Sequence, residues 1–456
     1  MRRVIMPRIL FDRLKVHLLG SLKVEREAFM LGGWDSSNGL EIYVRKLIPI
    51  QSRDLEFEGD NGLELKDEKK VQLIRQCKQE GACLLEAHTH PFSDSKVGFS
   101  SYDLQNLKEF VKYIRIRLPN TPYCAMVWGK NSVTALIWDG KTAKGSQVDE
   151  LVVRGERPQR IRFTGSRKST KSKSGKSLEI YDRQVRAFGI SAQQAISSQK
   201  VAIVGAGGTG SHVLQQLAHL GVQSIVLIDD DKVDRTSLNR LVGASSSDVG
   251  KWKTQVLARA ATRINPSMTI NTTPFKLRSK AALNLLKNVD IIFGCVDNDG
   301  ARLVLSELSA AYLVPYFDLA SDIVMDDEKI TEAGGSISVY LPLETSCLWC
   351  SRKIDPNEAS FDLATEEEKG ERLKRGYFNV PEPAPAVVSL NGVVASLAVN
   401  EFMAMVSGLR LPKSARYDFL TSKVVPQKWS IDPSCAICKS NLATGVRANI
   451  DRYALD

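Results

Sequence analysis

Short apolar runs and helically spaced stretches alternate along the first 150 residues. The runs EAFMLGG (27–33), LEIYVRKLIPI (40–50), CLLEAHTH (83–90), PYCAMVWG (122–129) and SVTALIWDG (132–140) read as strands. Residues 100–116 place Leu104, Leu107, Phe110, Val111 and Ile114 on one stripe, which predicts an amphipathic helix. From residue 200 the pattern changes. The run KVAIV (200–204) precedes a glycine cluster, and a helix follows with Val213, Leu214, Leu217 and Leu220 on one face. Further strand-like runs are SIVLI (224–228) and DIIFGC (290–295). Strand and helix in alternation predict a mostly parallel, doubly wound sheet with crossover helices.

At 456 residues the chain is long enough for two or three domains. An apolar share of 43% and a charged share of 25% exclude collagen-like and wholly disordered classes. No run approaches 18 consecutive apolar residues, so no membrane-spanning helix is expected. The N-terminal MRRVIMPRILFDRLKVHLLG reads as folded sequence, and a cytoplasmic setting is expected. The net charge of +10 is localised. Nine of the 62 Lys/Arg and one of the 52 Asp/Glu fall in residues 151–178, so the remainder is close to balance. This run reads as a solvated basic linker, and a nucleic-acid surface is not implied. The expected division is therefore 1–150, linker 151–178, and 179–456.

One group of residues carries chemistry in the first part. His88 and His90 are two apart, so in an extended segment both face one side. Asp103 follows thirteen residues after His90, where the amphipathic helix begins. Two histidines and a carboxylate leave one position open on zinc, as a hydrolytic site requires. Ser100 and Asp103 also form S-x-x-D, the signature of a helix capping box. Taken together, HxHP, eight residues and then SxxD resemble the JAMM/MPN metalloprotease family over about residues 5–145. The resemblance implies an N-terminal JAMM/MPN α/β metalloprotease fold. It implies His88, His90 and Asp103 on a catalytic zinc, and Ser100 bonded to the oxyanion. Glu25 would be the general base that accepts a proton from the attacking water, with Glu27 as the alternative. Such enzymes cleave peptide or isopeptide bonds after ubiquitin-like proteins.

The second part carries a nucleotide fingerprint. Gly205-Ala-Gly-Gly-Thr-Gly210 follows a strand and opens a helix, so its glycines let phosphates approach backbone amides. Asp229 ends the next strand, where a carboxylate can bind ribose. Arg240 and Lys253 follow, and two cations there suit a triphosphate better than a dinucleotide bridge. Asp297 ends a further strand and can hold Mg²⁺. Cys347/Cys350 and Cys435/Cys438 are two CxxC pairs, enough to close a structural zinc site. Cys77, Cys83, Cys124 and Cys295 read as buried apolar residues.

Together with YDRQV (181–185) and CVDN (295–298), these motifs resemble the adenylyltransferases that activate ubiquitin-like proteins, a ThiF-type fold, over about 179–440. The resemblance implies ATP and Mg²⁺ held by Gly205, Gly207, Gly208, Gly210, Asp229, Ser237, Asn239, Arg240, Lys253 and Asp297. Arg183 would reach the γ-phosphate across a homodimer interface. Ser237 stands where the family usually has asparagine. Residues 351–434 contain no cysteine, so that stretch offers no thiol for a thioester.

The whole therefore reads as a bifunctional enzyme of a ubiquitin-like modification pathway. It would adenylate a C-terminal glycine and cleave after such a terminus, with a conjugating enzyme or sulfur donor as a further partner. The alternative is a sulfur-carrier adenylyltransferase and peptidase in cofactor or amino-acid biosynthesis.

Overall fold

A computed structural model of the chain describes all residues other than 21–23, 60–61, 92, 94–95, 164–178, 327–328, 377, 379–384 and 456. Among the described residues there are two large sheets, one in each half of the chain. The first has nine strands, ordered Gln159–Arg162, Glu150–Arg154, Arg2–Pro7, Leu40–Pro49, Glu27–Asp35, Cys83–Thr89, Tyr123–Trp128, Val133–Trp138 and Ser146–Gln147. The sequence-predicted strands appear within a residue or two of their expected ends.

Alternation along these strands builds two different faces. One face, with Val4, Met6, Ile42, Met30 and Leu151, packs on Phe11, Leu14 and Leu18 of the helix Arg8–Leu19. The opposite face is divided. Phe29, Leu31, Leu84 and Tyr123 lie with Leu73 of the helix Asp67–Glu80 and Leu107, Val111 and Ile114 of the helix Ser101–Arg117. On the other half of that face, Ile5, Tyr43 and Val152 belong to a core built mainly from the second half of the chain.

Two expectations are corrected here. Residues 151–162 are not linker: Glu150–Arg154 pairs in parallel with Arg2–Pro7, and Gln159–Arg162 pairs with it antiparallel. The apolar LVV of this stretch is core, and Arg154, Arg157 and Arg160 bind the second unit. Only the later part of the basic run, 164–178, lies outside the described residues. Leu104 is 50% exposed, because the buried stripe of its helix turns toward Leu107, Val111 and Ile114.

The second sheet has five parallel strands, ordered Thr269–Thr273, Ser224–Ile228, Lys200–Val204, Ile291–Gly294 and Tyr316–Asp326. Lys329–Tyr340, Ser414–Asp418 and Lys423–Gln427 then extend it antiparallel. The helices Gly208–Leu220 and Asp299–Tyr312 cover opposite faces, since Leu214 and Leu217 sit in one core and Leu305 and Leu308 in the other. The helix Val388–Ser407 is long and apolar enough to cross a membrane, with a mean hydropathy of 1.3 over its most apolar window. It packs in the same core as the helix Gly208–Leu220, through Val394, Ala398 and Phe402.

Candidate functional site

His88 is delivered near the end of the strand Cys83–Thr89, and His90 follows directly. The His90 N–H donates to the Trp128 carbonyl at 2.8 Å, which fixes the chain where it leaves the sheet. The two rings lie 5.2 Å apart, on one side as the spacing predicts. Asp103 comes from the first turn of the helix Ser101–Arg117. Its backbone N–H donates to Ser100 Oγ at 3.1 Å, and Asp103 Oδ2 accepts from the Ser100 N–H at 2.6 Å. This capping box satisfies two orphan amides and aims the carboxylate. Asp103 Oδ1 lies 3.5 Å from His88 Nε2, and Oδ2 lies 3.2 Å from His90 Nε2. Ser100 Oγ accepts in the cap, a role that does not use its own hydroxyl hydrogen.

Glu25 stands on the fourth side, with Oε1 3.9 Å from His90 Nε2. Thr89, fully buried between the histidines, ties this segment down. Its N–H donates to the Arg26 carbonyl at 3.0 Å, and its Oγ1 accepts from the Arg26 N–H at 2.8 Å. Burial raises the Glu25 carboxyl above its ordinary range, while the two histidines oppose that rise. Glu27, the alternative base, is cross-strand from His88 and half-buried at the wall of the same site. Burial, then the nearby Glu86, pushes its pKa up to about 8. Geometry favours Glu25, which stands beside His90. Burial opposes ionisation of Asp103, but the neighbouring His88 and His90 win and hold it far below the usual carboxylate range. A cavity of about 920 Å³ opens on this group, lined also by Tyr102, Asn106, Phe110 and Tyr113.

The donor set fits a zinc ion. One ligand atom from each of His88, His90 and Asp103 lies within 4.8 Å of the others, and among the described residues buried His88 Nε2 has no hydrogen-bond partner. The four cysteine sulfurs fit a second, closed site. Cys347 Sγ is 3.6 Å from Cys435 Sγ, and Cys350 Sγ is 3.5 Å from Cys438 Sγ. A tetrahedral ion with ~2.3 Å bonds to sulfur would set its ligands about 3.8 Å apart.

In the second unit the loop Gly205–Gly210 runs from the strand Lys200–Val204 into the helix Gly208–Leu220. Gly205 takes φ +93°, and a Cβ there would meet the Cys295 carbonyl at 2.3 Å. A Cβ on Gly210 would lie 2.0 Å from the Gly205 carbonyl, whereas Gly207 faces open space. The loop is therefore tight on the inside and accessible at the helix N-terminus, as a phosphate cradle must be.

Asp229 accepts from the Ala206 N–H at 2.6 Å and the Asp231 N–H at 2.9 Å. Burial raises its carboxyl, and Lys253 acts against that rise. Lys253 Nζ is 2.7 Å from Asp231 Oδ2. Arg240 lays its stem against Gly208 and donates Nη1 to the Thr236 carbonyl at 2.8 Å and to Asn239 Oδ1 at 3.3 Å. Ser237 Oγ is used within its own turn, accepting from the Asp234 N–H at 3.1 Å and donating to the Asp234 carbonyl at 2.9 Å. Asp297 is exposed two residues past Cys295.

The glycines, Asp229, Arg240 and Lys253 are thus gathered around one loop, and Asp297 leaves the strand beside it. Arg183 is not among them. Its helix, Asp182–Phe188, sits at the other end of the helix Gly208–Leu220, where Gln184 donates to the His219 carbonyl at 3.0 Å. A helix of that length separates the two ends by roughly 18–20 Å.

Sequence reasoning missed Asn391. It is 2% exposed, its amide lies against Gly208, and its Oδ1 accepts from Thr209 Oγ1 at 3.3 Å and Ser321 Oγ at 2.8 Å. A polar residue at the head of the apolar run 388–407 was the signal available. Also missed was Arg302, which pairs with Asp299 at 2.7 Å and lies 3.5 Å from buried Asp318.

A glycine loop between a parallel strand and a helix, with a carboxylate on the next strand and two cations beyond it, defines an α/β nucleotide-binding unit. The ThiF family matches residues 181–435, more than half of the chain, and the protein belongs to that family. The molybdopterin-synthase adenylyltransferase of Escherichia coli is 28% identical over 57% of this chain and 95% of that protein. The adenylyltransferase and sulfurtransferase UBA4 of Meyerozyma guilliermondii is 32% identical over 43% of this chain and 46% of that protein. The chain thus spans about half of the second relative's length. A solved structure of E. coli MccB with MccA-N7isoASN aligns at 24% identity and a TM-score of 0.46, over 57% of this chain and 74% of that one.

Proposed function

We propose that the second unit is an ATP-dependent adenylyltransferase acting on the C-terminal glycine carboxylate of a small carrier protein of the sulfur-carrier or ubiquitin-like type. The observation that carries this reading is the gathering of Asp229, Arg240 and Lys253 around the open amino end of the helix Gly208–Leu220. A carboxylate oxygen of the carrier attacks the α-phosphorus, the bond to the β-phosphate breaks, and pyrophosphate leaves. Asp229 binds the ribose hydroxyls. Lys253 and Arg240 turn from their present partners to the phosphates and offset charge on the transferring group. Asp297 fits the Mg²⁺ that accompanies the triphosphate. Arg183 is too far from its own chain's loop, so its part in the reaction requires a homodimer.

The sulfur-carrier branch is preferred to a conjugating one. Both relatives above carry adenylyltransferase in their names, and the second also carries sulfurtransferase. Burial raises the thiols of Cys77, Cys83, Cys124 and Cys295. The four remaining cysteines form the closed cluster. The acyl-adenylate is then consumed by an external nucleophile, with AMP released.

The first unit is proposed to be a zinc-dependent peptidase for the same class of carrier. His88, His90 and Asp103 would hold the ion, which supplies Lewis acidity toward a carbonyl. Glu25 accepts the proton of the attacking water and returns it to the leaving amine, while Ser100 donates to the oxyanion. Hydrolysis yields a free carboxylate, which is the substrate of the second unit.

ATP–pyrophosphate exchange with candidate carriers tests the reading. Exchange that depends on a carrier with a free C-terminal glycine supports it. Tight ATP binding with no exchange for any of a broad carrier panel would count against it.

A further inference from the structure

The contact between the two units falls at particular places. The helix Asp299–Tyr312 is capped by Asn298, next to Asp297, and ends at Tyr312. The helix Val388–Ser407 begins three residues before Asn391, which lies on Gly208, and is closed by Gly408. Both helices therefore start at the nucleotide loop, and both carboxyl ends are held by the first unit. Buried Arg154 donates Nη1 to the Tyr312 carbonyl and Nη2 to the Val289 carbonyl at 2.9 Å. Val289 precedes the strand Ile291–Gly294, so Arg154 grips both ends of the segment that carries Asp297. Arg157 donates its backbone N–H to the Met405 carbonyl at 3.0 Å. Its Nε and Nη2 donate to the Gly408 carbonyl at 3.2 and 2.9 Å. Guanidinium groups suit the partial negative charge of helix carboxyl ends.

The fit is close. Arg157 adopts φ +48°, a conformation unfavourable for a residue with a Cβ, and a Cβ on Gly408 would lie 2.0 Å from Arg157 Nε. The Tyr312 hydroxyl also donates to Asp35 Oδ2 at 3.1 Å. Asp35 ends the strand whose other end pairs Glu27 with His88.

We propose that Arg154 and Arg157 are positioning residues that couple the nucleotide site to the metal-binding unit. The proposal rests on the adenylation reading above. Coupling of this kind is reciprocal: if the arginines hold the site in shape, bound ATP must in return stabilise the contact between units.

The test uses the full chain. ATP affinity is measured by calorimetry for wild type, Arg154→Met, Arg157→Ala and Arg157→Lys. Amide exchange in Glu150–Arg154 and Glu27–Asp35 is followed with and without ATP. Expected is an affinity loss of about tenfold in Arg154→Met and Arg157→Ala, with partial recovery in Arg157→Lys. ATP should also slow exchange in Glu150–Arg154 in wild type. If Arg154→Met does not fold, Arg157→Ala decides, since its side chain is exposed and reaches only a helix end. Wild type that binds ATP, with variants of equal affinity and no change in exchange, overturns the coupling alone. Wild type that binds no ATP overturns the adenylation reading and the coupling with it.

Discussion

The two candidate sites differ in how far a single chain completes them. At the candidate metal group, the donor atoms already converge, with Asp103 3.5 and 3.2 Å from the two histidines and Glu25 3.9 Å from one of them. At the nucleotide loop the cations are gathered but engaged elsewhere, Lys253 with Asp231 and Arg240 with a carbonyl. The difference follows from the ligands. A metal ion needs atoms within one short radius, which a strand, a capped helix turn and a tethered loop supply in advance. A triphosphate is long, flexible and highly charged, so the cations rest on neighbouring oxygens until it arrives. Sequence likeness runs the other way: the family match begins at residue 181, and the first site rests on its own geometry.

The sharpest way to break this comparison is to remove the base from the preassembled site. Glu25→Gln is expected to lower cleavage of a carrier fusion by about 10²–10⁴-fold while zinc content stays unchanged, if Glu25 serves as the proposed base. Loss of zinc in that variant would place Glu25 in the ligand set instead. In the second site, Lys253→Ala is expected to lower carrier-dependent exchange by roughly 10²–10³-fold. Cleavage by the first unit should not move, and a parallel loss of both activities would mean the substitution damages the fold.

Glu344 sharpens the contrast at the boundary between units. Burial raises its carboxyl to about 7, helped by Glu156 and opposed by Arg8. The folded chain therefore holds a proton that the unfolded chain releases, and stability falls as pH rises from the ordinary glutamate range to about 7. Above that the effect is level. Glu344→Gln should flatten this slope and stabilise the chain at pH 8 by on the order of 2 kcal/mol, read from denaturant unfolding at pH 5 and pH 8.

How much of this was legible in the sequence depends on the range of the interaction. The HTH spacing, the S-x-x-D cap and the GAGGTG turn are local, and each appears where its pattern puts it. The N-terminal boundary was misplaced because LVVR at 151–154 sits at the head of a basic run. Only the parallel pairing with Arg2–Pro7, some 150 residues away, identifies it as core. Asn391 and Arg154 were invisible for the same reason: their partners, Gly208 and Tyr312, lie more than 150 residues distant in sequence. Leu104 was misassigned because periodicity gives the stripe but not which of its edges turns to solvent.

The smallest effect concerns Ser100, where the structural and chemical readings meet in one side chain. Its Oγ caps the helix that carries Asp103, and loss of such a cap costs about 1 kcal/mol. If capping were its whole contribution, Ser100→Ala would lower stability by that amount and reduce cleavage only as far as Asp103 drifts. Ser100→Asp restores an acceptor to the cap but has no hydroxyl to donate. Recovery of the unfolding midpoint in Ser100→Asp without recovery of kcat would assign the hydroxyl to the reaction. Recovery of both would leave the capping box as the full account of that residue.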